Sequence, residues 1–250
     1  MSGPIIGNYI MYFDKVASTM DIAHLLGRMG FREGTVVVAN EQYVGRGRNN
    51  RPWISAEGGL WLSIILKPRT DPHFLPILTV AFAVAVHETL RKYNVEGWIK
   101  WPNDVMVQNK KIAGILMETS FYGDKLNYAV IGVGLNVNNS LKGSSLEAMA
   151  VSIYDLLGIK IDLKSILKDY LSISDKYYQI FLRSPNKIID EFHNRTKMIN
   201  KKVEVTLVNG MVIGECLGLG SKGELLIRGN NKIIKVDDLS RVIKVGVMNG

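Results

Sequence analysis

The sequence predicts an α+β protein: a mixed β-sheet with packed helices, followed by a small β-barrel. Three observations carry this. Short β-branched runs alternate with segments of helical period up to about residue 193. Two long apolar runs are separated by Gly123-Asp124, the residues of a tight hairpin turn. After Met198 the hydrophobic period changes to two, and turn residues recur at short intervals. A chain of 250 residues has room for a large and a small unit, here 1–196 and 197–250.

Residues 9–16 read as the first strand. Ser18 or Thr19 can cap a helix with Ile22, Leu25, Leu26 and Met29 on one face, stopped by Gly30. Strands are expected at 35–39 and 60–66, with an arginine-rich stretch between them. Residues 74–93 form the main buried helix, and its most apolar run, 74–86, is too short to span a bilayer. Further strands are expected at 95–100, 111–121 and 126–137. From 145 to 193 the pattern is helical, with Ile166, Leu167, Tyr170, Leu171, Tyr177, Tyr178 and Phe181 at helix spacing. Five short strands follow at 202–208, 212–219, 224–228, 232–236 and 241–245. Their turns are Asn209-Gly210, Ser221-Lys222-Gly223 and Gly229-Asn230-Asn231.

The composition bounds the function. Hydrophobic residues make up 47% of the chain, which indicates a packed core and no disordered character. A single cysteine, Cys216, excludes an internal disulfide and fits a reducing compartment. The N-terminus lacks the order of a signal peptide, so a cytoplasmic location is expected. Lysine and arginine number 31 against 23 acidic residues, a net charge of +8 that suits an anionic partner. The positive residues are spread along the chain, so solvated faces account for most of them.

Several site chemistries are absent. No Gly-x-x-x-x-Gly-Lys-Ser/Thr phosphate loop occurs, and Gly132-Val133-Gly134 lacks the third glycine of a dinucleotide fingerprint. His24, His73, His87 and His193 have no metal-ligand spacing, and no Gly-x-Ser-x-Gly elbow is present. Polar clusters at element ends remain. The densest is Gly45-Arg46-Gly47-Arg48-Asn49-Asn50-Arg51-Pro52-Trp53, three guanidiniums on a glycine-containing backbone, suited to gripping a phosphate or carboxylate. The others are Lys100-Trp101-Pro102-Asn103-Asp104, Lys111 to Glu118, and Gly132-Val133-Gly134-Leu135-Asn136-Val137-Asn138.

Taken in order, Ser18-Thr19, Gln42, Gly45-Arg46-Gly47-Arg48, Arg51, Trp53 and the three later clusters resemble the biotin protein ligases, over almost the whole chain. The resemblance implies a class II synthetase-like catalytic fold with a C-terminal SH3-like domain, in the form without an N-terminal DNA-binding domain. It implies ATP and biotin as substrates, Mg²⁺ carried mainly by the phosphates, and biotinyl-5′-AMP as intermediate. The expected partners are a biotin carboxyl carrier protein and a second copy of the chain, with neither nucleic acid nor membrane.

The same resemblance implies roles for individual residues. Lys111 bridges the biotin carboxyl and the α-phosphate, and Arg48 holds the adenylate. Asp104 either binds magnesium through water or accepts the proton of the incoming lysine. Ser18, Thr19, Gln42, Gly45, Arg46, Gly47, Gly114 and Leu116 join Arg48 and Lys111 around biotin. Arg46, Arg51, Trp53, Asn103 and Asn136 join them around the nucleotide, and Trp53 and Trp101 supply apolar wall. The arginine stretch is then a lid that closes on ligand and excludes water.

Three positions depart from the family pattern. Met20 stands where asparagine is usual, Asn50 where glycine is usual, and Pro52 where lysine is common. Asparagine tolerates positive φ, so the stretch can still turn, and Pro52 stiffens it into a more ordered empty loop. A lipoate or octanoate ligase or transferase of the same fold is the nearest rival. A nucleic-acid-binding regulator and a non-catalytic biotin-binding module are rivals of other classes.

Overall fold

The computed structural model describes residues 3–229 and 232–248. A seven-stranded mixed sheet forms the larger part. Its strands are β1 (Tyr9–Val16), β2 (Thr35–Gln42), β3 (Leu60–Leu66), β4 (Trp98–Lys100), β5 (Asp104–Val107), β6 (Lys110–Tyr122) and β7 (Lys125–Leu135). They lie in the order β1-β2-β3-β7-β6-β5-β4, with β1 parallel to β2 and every other pair antiparallel.

The period-two pattern explains why the central strands are apolar on both faces. Leu60, Leu62, Ile64 and Leu66 of β3 face one core, while Ile65 faces a second. In β2, Val36 and Val38 divide from Val37 in the same way, and in β7 Ile131 and Val133 divide from Val130. The first core is covered by α2 (Leu75–Lys92), α4 (Leu163–Arg183) and α5 (Pro185–His193). The second is covered by α1 (Thr19–Arg28).

Ser18 caps α1, its hydroxyl accepting from the Met20 N–H at 3.3 Å. The buried side of α1 is Met20, Ala23 and Leu26, whereas Leu25 and Met29 stand exposed. The expected face is rotated because Met20, Ala23 and Leu26 pack against Val37, Ile65, Tyr128 and Val130 of the sheet. α2 is apolar all round because the sheet lies on one side and α4 and α5 on the other. With the 3-10 turn before it, this helix spans Pro72–Lys92, longer than the 74–86 run. By length and composition it matches a membrane span, but 78% of that window is buried inside the fold.

The helical expectation from 145 onward holds only in part. The short α3 (Ile153–Leu157) begins at a capping box on Ser152, and α4 buries the seven residues expected of it. Residues 141–150 form turns instead, because their backbone is drawn against β6. The Lys111 N–H donates to Met149 O at 2.8 Å, and the Val151 N–H donates to Lys111 O at 3.1 Å. β5 was not expected, since Asn103-Asp104 reads as a turn; Asp104 instead opens a strand after the cis Trp101-Pro102 bond.

The C-terminal part is a five-stranded antiparallel sheet of β8 (Lys202–Leu207), β9 (Gly210–Leu219), β10 (Leu225–Arg228), β11 (Ile233–Val236) and β12 (Val242–Val247). Their order, β11-β10-β9-β8-β12, agrees with the expected SH3-like unit. The first hairpin turns at Val208-Asn209, one residue before the expected Asn209-Gly210, because Gly210 already pairs with Leu207; the Ser221-Lys222-Gly223 turn is present, and Gly223 has φ +82°. The expected turn at 229–231 lies partly outside the described residues. This sheet shares the apolar core of the larger one through Phe192, Met198, Val203, Leu225 and Val242. The Trp101 indole N–H reaches Gly223 O at 3.1 Å, and the Leu219 N–H donates to His193 Nε2 at 2.9 Å. β12 is thereby held beside the open end of the larger sheet.

Candidate functional site

A cavity of about 420 Å³ opens where the first turn of α1, the ends of β6 and β7, the cis-proline turn and β12 converge. The arginine-rich stretch lies over it. Of the residues expected at a site, Gly45 is not at this wall; it borders a second hollow on the other side of the loop. All the others line the cavity.

One end is neutral and closed by hydrogen bonds. Gln42 Oε1 accepts from the Thr19 N–H at 2.8 Å and from Thr19 Oγ1 at 3.0 Å. Gln42 Nε2 donates to Ser55 Oγ at 2.8 Å, and Thr19 Oγ1 and Ser63 Oγ lie 2.8 Å apart. Ser18, Thr19, Ser55 and Ser63 are all buried, so this chain of groups fixes donors and acceptors away from bulk water. Met20 is also buried and rests its Sδ over Gly132, filling space beside this end without a polar group.

The middle of the cavity depends on Trp53. Its indole packs edge-on to Trp61 at 6.4 Å and lies over two glycines of the sheet. A Cβ on Gly134 would stand 2.5 Å from Trp53 Nε1, and one on Gly114 would stand 3.0 Å from Lys111 Nζ. Glycine at 134 is what allows this close approach, whereas at 114 the tight neighbours are the flexible end of Lys111 and the ring edge. The Trp53 indole N–H is buried and has no hydrogen-bond partner among the described residues.

The other end is cationic. Lys111 Nζ stands 2.5 Å from Asp104 Oδ1 and 4.9 Å from the centre of the Trp53 ring. Lys100 is nearby, and burial pulls its ammonium below the ordinary lysine value; Asp104 opposes that pull, and Lys111 and Lys244 add to it. Asp104 is the acidic side chain among those lining the cavity. Positive charge is therefore under-neutralised here, and an anion of several charges would complete it.

The loop above is tightly made. The Trp53 N–H donates to Gly45 O and the Gly47 N–H to Arg51 O, both at 2.8 Å. Asn49 and Asn50 carry φ of 55° and 54°, so asparagine does adopt the left-handed conformation at the position where glycine is usual. At the tip Arg48 Nη2 donates to Leu239 O at 2.8 Å and Val242 O at 2.6 Å, both in the C-terminal part. Burial holds the Arg48 guanidinium below its ordinary value.

Four expected residues stand apart from the rest. Gly45 borders the second hollow, packed so closely on the Trp53 carbonyl that a Cβ there would lie 2.4 Å from it. Arg46 lines the wall, but its guanidinium is occupied by Glu118 and Asp21. The Asn136 amide is occupied too, donating to Val151 O at 3.2 Å and accepting from Asn139 at 3.0 Å, so it shapes the wall through the backbone it holds. Asn103 similarly donates to Ile115 O at 2.7 Å, though its Oδ1 lies 3.4 Å from Arg48 Nη1. Lys100, Lys244 and Met149 were not expected at the cavity as individual residues. Lys100 stood in a singled-out cluster and was legible there; nothing in the local sequence marks Lys244 or Met149.

Residues 12–136 match the biotin/lipoate A/B protein ligase family. The bifunctional ligase/repressor BirA of Bacillus subtilis is 34% identical over 239 residues, covering 93% of this chain and 73% of that protein. The biotin–[acetyl-CoA-carboxylase] ligase of Paracoccus denitrificans is 31% identical over 137 residues, covering 52% of this chain and 57% of that protein. Among solved structures, the biotin protein ligase from Aquifex aeolicus in complex with biotin and ATP superposes with a TM-score of 0.85 at 27% identity. It covers 97% of this chain and 100% of that one.

Proposed function

The chain belongs to the biotin/lipoate A/B protein ligase family, as a biotin protein ligase, and from that premise we propose that it attaches biotin to a carrier lysine through biotinyl-5′-AMP. The observation that carries this reading is one cavity with a neutral, hydrogen-bonded end and a cationic end, where Lys111 lies against the Trp53 ring that separates them. The neutral end suits the ureido group of biotin, and the apolar wall suits its ring and chain. The cationic end suits the phosphates of ATP.

In the first step a carboxylate oxygen of biotin bonds the α-phosphorus of ATP, and the bond from that phosphorus to pyrophosphate breaks. Both reactants are anions, so the barrier falls when fixed positive charge stands between them. Lys111 takes that position, with Asp104 orienting its ammonium and Lys100 adding charge from beneath. Arg48 has five N–H groups; in the liganded state it turns from the Leu239 and Val242 carbonyls toward the phosphate. In the second step the amine of a carrier-domain lysine bonds the carbonyl carbon of the mixed anhydride. The carbon–oxygen bond to AMP breaks, and the amine proton passes to water or to the departing AMP phosphate.

When bound, magnesium would be held mainly by the phosphates of the nucleotide and by water, with Asp104 the acidic side chain among those lining the cavity. No step is assigned to an ion held by the protein.

The test is incubation with labelled biotin, MgATP and a biotin carboxyl carrier domain. Adenylate and labelled carrier are expected from the wild type, and Lys111→Ala should lower adenylate formation by about 10²–10³-fold, the range for loss of one charge-stabilising donor. Adenylate formation that survives this substitution unchanged overturns the role of Lys111. Transfer of lipoate or octanoate in preference to biotin overturns the substrate.

A further inference from the structure

Glu118 lies on β6 behind the cavity wall and has no part in the steps above. Both of its oxygens are occupied from two other elements. Arg46 Nε donates to Oε1 at 3.0 Å and Nη2 to Oε2 at 3.1 Å, a two-point grip of guanidinium on carboxylate. His24 Nε2 stands 2.8 Å from Oε2, and Asp21 takes Arg46 Nη1 at 2.8 Å. Asp21 and His24 both belong to α1, whose first turn carries Ser18 and Thr19 at the neutral end of the cavity.

The loop thus has a foot and a tip held by different chemistry. The foot is Arg46 and Trp53, joined through the Gly45–Trp53 hydrogen bond and the Arg46–Pro52 bridge and fixed by the carboxylates. The tip is Arg48 to Asn50, held to β12 and the turn before it only by carbonyl oxygens. A charged two-point pair outlasts bonds to neutral acceptors at the rim, so an opening loop releases the tip first.

We propose that Glu118 is a positioning residue for the proposed ligase reaction: by gripping Arg46 it anchors the foot of the arginine loop, so that opening is confined to residues 47–52 and the adenylate is retained. Arg46 is then a hinge post and Arg48 the moving hand. The proposal rests on the adenylate chemistry proposed above, but the hinge can be read without it.

Glu118→Gln preserves shape and removes the charge. Hydrogen exchange of the ligand-free protein is expected to quicken by about tenfold at the amides of Gly47, Arg51 and Trp53, with β6 and α1 unchanged. With biotin and MgATP the half-life of bound adenylate should shorten by a similar factor, while saturated adenylate formation falls less than twofold. Glu118→Gln should add nothing in an Arg46→Ala background, and Asp21→Asn should give a weaker form of the same change. Unchanged exchange in the folded Glu118→Gln protein overturns the proposal, as do effects of Arg46→Ala and Glu118→Gln that simply add. A wild type that forms no adenylate overturns the proposed function, and the exchange measurement still decides the hinge.

Discussion

The two ends of the cavity solve the same problem by opposite means. At the neutral end, Thr19, Gln42, Ser55 and Ser63 satisfy one another, so the pocket exists before any ligand arrives. At the cationic end, Lys100, Lys111, Lys244 and Arg48 converge around a single aspartate and remain short of negative charge. The first end is shaped by short bonds and costs little to keep; the second stores unfavourable charge that only a polyanion relieves. Under the proposed function, selectivity for a small uncharged head group and stabilisation of a charged reaction would fall to different walls of one cavity.

Trp53 separates the two ends, and breaking its seat should have the largest effect on the comparison. A methyl group on Gly134 would stand 2.5 Å from the indole, so Gly134→Ala must displace the ring or the strand. The expected outcome is a KM for ATP raised about tenfold or more and a stability loss of about 1–3 kcal/mol, the usual cost of overpacking. Steady-state kinetics with thermal unfolding checks both, and an unaltered KM for ATP would show that Trp53 does not form the nucleotide wall.

Thr19→Val tests the neutral end alone. It removes the hydroxyl that meets Gln42 and Ser63 while keeping the shape. Loss of that bond is worth about 1–1.5 kcal/mol, so affinity for biotin should fall roughly tenfold with ATP affinity unaltered. Isothermal titration with each substrate separates the two, and an equal loss for both would dissolve the distinction between the ends.

A smaller effect should appear in acid. The bond from His24, and with it Arg46, holds the Glu118 carboxyl down to about 2 against an ordinary 4.5, despite opposing burial. The folded value lies below the unfolded one, so the stabilisation is complete above about 4.5 and is lost as pH falls toward about 2. The full shift is an upper bound for a half-exposed group, and about 1 kcal/mol is expected after solvent screening. Glu88, Asp155 and Asp169 are held low as well, so urea unfolding at pH 6 and pH 3 should show an acid loss in both proteins, larger by about that amount in the wild type than in Glu118→Gln. The smallest expected change is in Pro52→Lys, which should loosen the empty loop and quicken its hydrogen exchange a few-fold, since proline restricts the chain.

Much of this was legible in the chain. Strands β1 and β3 occupy the residues expected of them, and the helical spacing of Ile166 to Phe181 correctly marks a buried face. The arginine stretch, the Trp-Pro turn and Lys111 stood out through their order along the chain, which resembles one family; none was decisive alone. The α1 face, β5 and the turns at 141–150 were misread for one reason. In each, a distant partner overrides the local pattern: Val37, Ile65 and Val130 of the sheet bury Met20, β6 recruits Asp104 to Val107, and Lys111 pairs with the backbone at Met149.

The sequence by itself determined the alternation of elements, the change of period after Met198 and the types of chemical group available, because these depend on neighbours within a few residues. The tertiary structure alone decided which of those groups are free. Arg46 and Arg48 sit two residues apart in one motif, yet one is occupied by a carboxylate 72 residues away and the other by carbonyls 191 and 194 residues away. Whether a guanidinium serves as anchor or as ligand hand depends on the partners that folding brings to it, and local sequence does not carry that information.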